Sequence, residues 1–485
     1  MSYDAILHGG SVIDGTGAPS RRADIAVAGD RIAAIGDLGA AQAGSRIDCT
    51  GRIVSPGFVD AHTHDDAALF DYPDMPMKTS QGVTSVVCGN CGISLAPVDL
   101  PGTPPPPLDL LGGRAAYRFK RFADWRRAFG AAPAAVNAIG LAGHSALRVQ
   151  TMGALDRPAD AGEIAAMAHL LAGAMEDGAL GLSTGLAYAP ARMASTREIV
   201  EIARVASAAG GIYATHLRDE GAFLEDAVEE ALTIGRAADL PVILSHHKAA
   251  GRPHHGKTKT TLPRLDEARR EQRLALDMYP YIASSTVLTL TRVGDSARTL
   301  IAWSKALPQA QGRDLAELAA EHGLGIEAMC EKLQPAGAIY FAMDEDDVRR
   351  VLAWPEAMIG SDGLPHDTHP HPRLWGTFPR VLGHYARDLK LLPLEEALRK
   401  MTSLPAKRFG LKDRGVLRAG AFADIAVFDA AAILDQASFA EPKRAARGIE
   451  FVFVNGACVW RSGAPTGARP GRALALDRGA LDYAA

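Results

Sequence analysis

Long apolar runs are missing from this chain. No stretch of 18 consecutive apolar residues occurs, which excludes an ordinary membrane-spanning helix. The amino-terminal residues MSYDAILHGGSVIDG lack a basic segment followed by an apolar core, so no secretory leader is expected. Cysteine is scarce: five residues (Cys49, Cys88, Cys91, Cys330, Cys458) are scattered through 485, which excludes a disulfide framework. Basic excess is absent too. The 52 Lys+Arg against 56 Asp+Glu leave a net charge of −4, so there is no whole-molecule footprint for nucleic acid. What is present is ordinary for a globular protein: 47% apolar and 22% charged residues argue against disorder. The expectation is a soluble, cytoplasmic protein without nucleic-acid or membrane partners.

The two ends of the chain share a texture. Short apolar strands at 5–13, 24–28 and 31–35 are punctuated by glycine turns, and 423–428, 448–454 and 458–461 repeat the pattern. Val454-Asn455-Gly456-Ala457 is a strong two-residue hairpin signal. One small β domain assembled from both termini is the favoured reading, over two separate appendages. The middle alternates apolar runs with helical patterns. Candidate strands are 53–64, 83–90, 134–144, 179–186, 211–218, 241–248, 275–281 and 357–364, eight in all. Helical spacing marks 195–209, where Ser195 and Glu198 fit a capping box, and 222–237. Eight βα units give the count of a (β/α)₈ barrel, whose chemistry gathers at the carboxyl ends of its strands. An open doubly wound sheet is the runner-up, but no G-x-G-x-x-G follows the first strand. A long interval from Ala283 to Glu356 holds helical stretches at 314–322 and 325–333, and reads as an inserted lid. The run 101–107 is a stiff, proline-rich connector.

Metal-competent residues fall at the ends of these candidate strands. His62 and His64 close the first; two positions apart, they share one face of an extended chain. Cys88 and Cys91 close the second, His216 the fifth, His246 and His247 the sixth, and Asp362 the eighth. Any one alone has a bland explanation. Together they bring imidazoles, a thiolate and a carboxylate to one rim, good ligands for a borderline ion such as Zn²⁺. Cys88-x-x-Cys91 has no second close pair to complete a structural zinc site and does not open a helix. A single thiolate donated to a catalytic metal fits better, and Cys91, further along the loop, is preferred.

This residue set resembles the amidohydrolase superfamily and, within it, the N-acyl-D-amino-acid deacylases. The resemblance runs over essentially the whole chain. It is carried by Pro56-Gly57-Phe58-Val59-Asp60-Ala61-His62-Thr63-His64, Gly89-Asn90-Cys91-Gly92, Gly181-Leu182-Ser183-Thr184-Gly185-Leu186, Ser245-His246-His247-Lys248 and Gly360-Ser361-Asp362-Gly363. It implies an α/β fold: a distorted (β/α)₈ TIM barrel, a small β-sandwich built from both termini, and a lid insertion after strand seven. The corresponding boundaries are 1–55 plus 411–485 for the sandwich, 56–410 for the barrel and 283–350 for the lid. The carboxylated lysine that bridges two metals in hydantoinases and dihydroorotases is ruled out, because no Lys occurs between Lys120 and Lys248. The resemblance implies one tight zinc held by Cys91, His216 and His246. His62, His64 and Asp362 would form a second, weakly occupied position. It also marks Lys248, Tyr279, Ser285 and Arg373 for binding the substrate carboxylate, with Tyr188 and Arg292 beside them.

The expected reaction is hydrolysis of small-molecule N-acyl-D-amino acids by metal-activated water, with Asp362 as general base and then general acid. No serine nucleophile is called for. Handedness comes from the resemblance alone. Two alternatives remain at this stage. One is a dipeptidase or other acyclic amide hydrolase acting on substrates with a C-terminal D-residue; the other is a metal-binding scaffold without activity. Oligomeric state and side-chain preference are not legible in the residues.

Overall fold

The computed structural model describes residues 2–483. Strands from both ends of the chain share one seven-stranded sheet. Its spatial order is Ala464–Pro465, Ala457–Arg461, Ile449–Val454, Ile425–Phe428, Ile53–Pro56, Ser11–Val12 and Arg21–Arg22. A second, four-stranded sheet comes from Arg31–Gly36, Asp24–Ala28, Tyr3–His8 and Ala43–Asp48. Leu7, Val12, Ile25, Val27, Val54, Ile425, Val427 and Phe453 form one buried cluster, so the two termini solve the problem of burying an apolar face together. The Asn455-Gly456 turn has φ 47° and 82°, the positive pair that a primed hairpin turn needs.

The middle of the chain carries eight strands that pair in parallel. They are β1 (Phe58–Asp60), β2 (Val83–Cys88), β3 (Asn137–Gly140), β4 (Gly181–Gly185), β5 (Ile212–His216), β6 (Val242–Leu244), β7 (Leu274–Met278) and β8 (Ala357–Ile359). β1, β2 and β3 are neighbours, and β4 to β8 follow in order. Ala142–Gly143, just past β3, pairs with β4. β8 returns beside the start: Ala61 N donates to Ile359 O at 3.1 Å, and Thr63 bridges Gly363 in parallel. All these strands are buried, including polar residues within them such as Ser85, Asn137, Ser183, Thr184, Thr215 and Asp277. Val59, Val87, Ile139, Leu180, Ile212, Ile243, Ala275 and Met358 meet in one cluster, floored by Leu404 and Phe409.

The strands are shorter than the apolar runs that signal them. β1 stops at Asp60 and β6 at Leu244, so His62, His64 and His246 lie on the segments beyond. Cys91, His246 and Asp362 have φ of 54°, 37° and 47°, the left-handed region that non-glycine residues rarely occupy. Such strain persists where surrounding structure enforces it, and it collects at functional sites. The helix Thr196–Ala208 shows a related departure. Ser195 caps it by accepting from Glu198 N at 3.1 Å, but the Glu198 carboxylate does not turn back to complete a capping box. Buried Arg148 and His144 hold it instead.

After β7 the chain builds a three-stranded antiparallel sheet in the order Ala283–Val287, Ala336–Phe341, Thr299–Ser304, with helices Leu315–Glu321 and Ile326–Leu333. It has a core of its own, in which Ile301, Leu315, Met329, Leu333 and Tyr340 pack with Tyr279 and Tyr281. Among the described residues, no helix is long and apolar enough to cross a membrane.

Candidate active site

Cys91 is the geometric centre of the polar cluster. Its Sγ lies 3.2 Å from His62 Nε2, 3.3 Å from His246 Nε2 and 3.8 Å from His216 Nδ1. Asp362 Oδ1 is 3.6 Å from His62 Nε2 and 3.2 Å from His64 Nε2. Donor atoms of His62, Cys91, His246 and Asp362 all lie within 4.8 Å of one another, and every one of these residues is buried. Three ring nitrogens and a carboxylate around one thiol are a donor set suited to Zn²⁺. The six residues form one continuous cluster, with His62 closer to Cys91 than His216 is, so no gap in the structure separates a first from a second position.

Electrostatics favour ligation. Burial works against the Cys91 thiolate, but the imidazoles of His62 and His246 and a hydrogen bond from His216 hold its pKa well below the ordinary thiol range. Cys88 shows the opposite: burial pushes its thiol far up, and its Sγ lies 3.6 Å from Thr63 Oγ1. His247 also stays outside the cluster, bonding Thr261 Oγ1 at 2.8 Å, and burial and then Lys248 push its pKa down to about 4. Burial opposes charge on Asp362 as well, yet Arg373 and the neighbouring imidazoles hold it well below the usual carboxylate range.

The whole chain can now be set beside known proteins. The profile described as Amidohydrolase family matches residues 46–332 and 291–460. The D-aminoacylase of Alcaligenes xylosoxydans xylosoxydans is 56% identical over 473 residues, covering 98% of each chain. This chain belongs to the amidohydrolase family, in its D-aminoacylase group. The N-acyl-D-aspartate deacylase of the same organism is 50% identical over 97% of this chain and 95% of that protein. Among solved structures, N-acyl-D-glutamate deacylase from Bordetella bronchiseptica, complexed with zinc and a phosphonate mimic of the tetrahedral intermediate, matches with TM-score 0.95 and 45% identity. That match covers 98% of this chain and 100% of the other.

In this amidohydrolase the candidate carboxylate-binding residues lie on the β7 side of the cluster. Arg373, 1% exposed, places Nη1 2.9 Å from Asp362 Oδ2 and donates from Nη2 to the Ser285 carbonyl at 3.1 Å. Its guanidinium lies over the Tyr279 ring, 4.5 Å from the centroid, and Lys248 Nζ is 5.5 Å from the same ring. The Tyr279 hydroxyl and Arg373 Nε are buried without a hydrogen-bond partner among the described residues, free for an anionic group to bind. Tyr188 packs its ring 4.8 Å from His216 and bonds Thr286 Oγ1 at 3.1 Å. Arg292 lies on the Tyr188 side of this group. Half-buried, it lines a cavity of about 730 Å³ that also borders Tyr188, Glu220, Val287 and Trp303.

Three buried residues that the sequence reading left out belong to this amidohydrolase site. Asp277, on β7, places Oδ2 3.2 Å from His62 Nδ1 and accepts from His246 N at 2.8 Å through Oδ1. Its signal was its parity with Tyr279, two residues on. Glu220 lies four residues beyond His216 and contacts both His246 and Lys248. Lys78 donates to Asp60 Oδ2 at 2.7 Å and Ser361 Oγ at 2.8 Å, tying the segment after β1 to the one after β8. Nothing in the spacing around Lys78 marks it as buried. The sequence reading finds no G-x-S-x-G elbow; the pattern does occur, at Gly181-Leu182-Ser183-Thr184-Gly185, but not as an elbow. Ser183 lies within β4, donates to the Gly89 carbonyl and accepts from Gly92 N at 3.1 Å. It is a brace for the Cys91 loop rather than an exposed nucleophile on a strained elbow.

Proposed function

We propose that this chain hydrolyses N-acyl-D-amino acids to a D-amino acid and a carboxylate, with zinc as cofactor. The observation that carries the reading is Cys91 Sγ held among three imidazole nitrogens next to the Asp362–Arg373 ion pair. Cys91, His216 and His246 would hold the tight ion, with His62, His64 and Asp362 available for a weaker second. When bound, such an ion supplies Lewis acidity and makes water nucleophilic near neutral pH.

The remaining chemistry belongs to side chains of this chain. Asp362 is ionised in its Arg373 contact, so it can take a proton from the attacking water and return it to the departing nitrogen. Arg373, Lys248, Tyr279 and Ser285 form the binding edge for the substrate's free carboxylate, where a guanidinium can offer paired donors. Tyr188 braces the wall beside His216, and Arg292 faces the substrate from the cavity rim. D-preference rests on the similarity to D-aminoacylase and to the N-acyl-D-aspartate and N-acyl-D-glutamate deacylases.

The same reading extends to architecture and setting. The ring of parallel pairings from β1 to β8 supports a distorted (β/α)₈ barrel over 56–410. The shared terminal sheet supports a β-sandwich from 1–55 and 411–485, and the separate core after β7 supports a lid at 283–350. The five unpaired cysteines fit a reducing, cytoplasmic setting. The deciding assay follows release of free amino acid from matched N-acetyl-D- and N-acetyl-L-amino acids, with and without chelator. D-selective, chelator-sensitive release is expected; L-selective or chelator-indifferent release would overturn the proposal.

A further inference from the structure

One carboxylate faces two imidazoles from the side opposite Cys91. Glu220 Oε1 is 3.1 Å from His246 Nδ1, and Oε2 is 3.6 Å from His216 Nε2. The other nitrogen of each ring points to the thiol: His246 Nε2 at 3.3 Å and His216 Nδ1 at 3.8 Å. The rings cross nearly at right angles, 83° apart with centroids 4.5 Å apart. The carboxylate approaches His246 closely, whereas His216 Nε2 and Glu220 Oε2 face each other without a hydrogen bond. Glu220 is 8% exposed, and its own carbonyl accepts from Ala250 N at 2.7 Å, which clamps the loop after β5 to the loop after β6.

Lys248 makes this arrangement consequential. Its ammonium lies 2.5 Å from Glu220 Oε1 and 2.8 Å from His246 Nδ1. An ammonium can only donate. Were it to donate to Nδ1, the neutral ring would carry its hydrogen on Nε2, the atom facing Cys91, and that nitrogen would be lost as a ligand. With Glu220 accepting from Nδ1–H, Nε2 keeps its lone pair, and Lys248 is satisfied by Glu220 and by the His246 carbonyl at 3.0 Å. We infer that Glu220 is a positioning residue of the metal centre: it accepts from His246 Nδ1, which leaves Nε2 free to ligate, and it neutralises the Lys248 ammonium that competes for the same nitrogen. Glu220, His216 and His246 are also close enough to hold an ion themselves. The ammonium already occupies the neighbourhood of Nδ1 and Oε1, which argues against that use.

This inference rests on the zinc reading given above, and its test separates the two. Wild type, Glu220→Ala, Glu220→Gln and the double variant Glu220→Ala/Lys248→Met are stripped and titrated with zinc against a chromogenic chelator. The number of ions bound at saturation and the thermal unfolding of the zinc-free proteins are recorded alongside. Expected for Glu220→Ala is zinc affinity weakened by about 10- to 100-fold, the scale for loss of a partner behind a metal-binding histidine. The saturating number of ions should match wild type. The zinc-free single variants should melt lower, because the buried Lys248 ammonium is no longer neutralised, so affinities are compared at a temperature where all four proteins are folded. Glu220→Gln, which keeps the bulk but cannot neutralise the ammonium, should weaken zinc in the same direction. Removing Lys248 in the double variant should recover most of the affinity, a rescue that a purely structural role would not give. Unchanged affinity in both single variants, loss of a bound ion, or a double variant no better than Glu220→Ala overturns the assignment. A wild type that binds no zinc overturns the zinc reading itself.

Discussion

The Arg373 guanidinium and the Asp362 carboxylate form a direct ion pair, with Nη1 2.9 Å from Oδ2, while Oδ1 of the same carboxylate is 3.2 Å from His64 Nε2. The group proposed to move protons is thus wedged between the group proposed to bind the substrate's carboxylate and the histidines. Lysine cannot reproduce both the contact to Asp362 and the one to the Ser285 carbonyl. Arg373→Lys should lose about 2 kcal/mol, roughly thirtyfold in kcat/KM, largely through KM. A KM unchanged in steady-state kinetics would detach Arg373 from substrate binding.

Asp362→Ala tests the proton carrier. The variant is expected to fold, to retain the tight zinc through Cys91, His216 and His246, and to lose about 10²- to 10⁴-fold in kcat. Normal turnover in a folded, zinc-loaded variant would remove Asp362 from the role.

The two cysteines of the Cys88-x-x-Cys91 pair should part company. Cys91→Ala is expected to abolish tight zinc binding and activity together. Cys88→Ala should keep both, since burial holds that thiol protonated and its contact is Thr63. The cost there is packing, about 1–2 kcal/mol by chemical denaturation. Equal loss of zinc in both variants would contradict the geometry.

What the residues disclosed in advance follows from period and position. His62 and His64, two apart, do converge, their rings 5.5 Å apart, and Lys248 does reach His246, although both pairs lie past the ends of β1 and β6, where strand parity no longer holds. Asn455-Gly456 announced its hairpin because few residues accept two positive φ values. Strand ends were read too far along, because an apolar run continues into a buried loop as readily as into a ladder. Glu220 and Asp277 escaped notice for a different reason. A carboxylate behind a histidine has no fixed spacing, and its role appears only once the fold brings distant segments together. Glu198 misled in the same way: three residues after Ser195 it has the capping spacing, but a buried arginine offered its charge a stronger partner.

Lys78 gives a prediction about stability. Fully buried, it meets Asp60 at 2.7 Å and Asp65 at 3.2 Å, and Asp60 Oδ1 in turn accepts from Ser361 N at 2.7 Å. Lys78→Met leaves those carboxylates uncompensated in a dry interior. A loss of about 3–5 kcal/mol is expected from denaturant unfolding of the zinc-free protein. An unchanged midpoint would show that the buried charges find other partners.

Glu198 supplies a pH-dependent test remote from the metal residues. Burial works against its charge, but the hydrogen bond from His144 Nε2 at 3.0 Å and the Arg148 guanidinium outweigh it, holding the carboxyl at about 2. The ordinary value of 4.5 applies to the unfolded chain. Between those two values the unfolded state binds more protons than the folded one, so stability must rise with pH through that window. The contribution is complete above about 4.5 and is lost as pH falls through about 2; at neutral pH a shift of this size is worth about 3 kcal/mol. Glu198→Gln should therefore be less stable than wild type by about that amount at pH 7, with the gap narrowing steadily below pH 4.5. Denaturant midpoints for both proteins across that range check it. A gap independent of pH would mean that Glu198 acts through shape, not charge, and that Arg148 is held by the carbonyls of Pro190 and Arg157 alone.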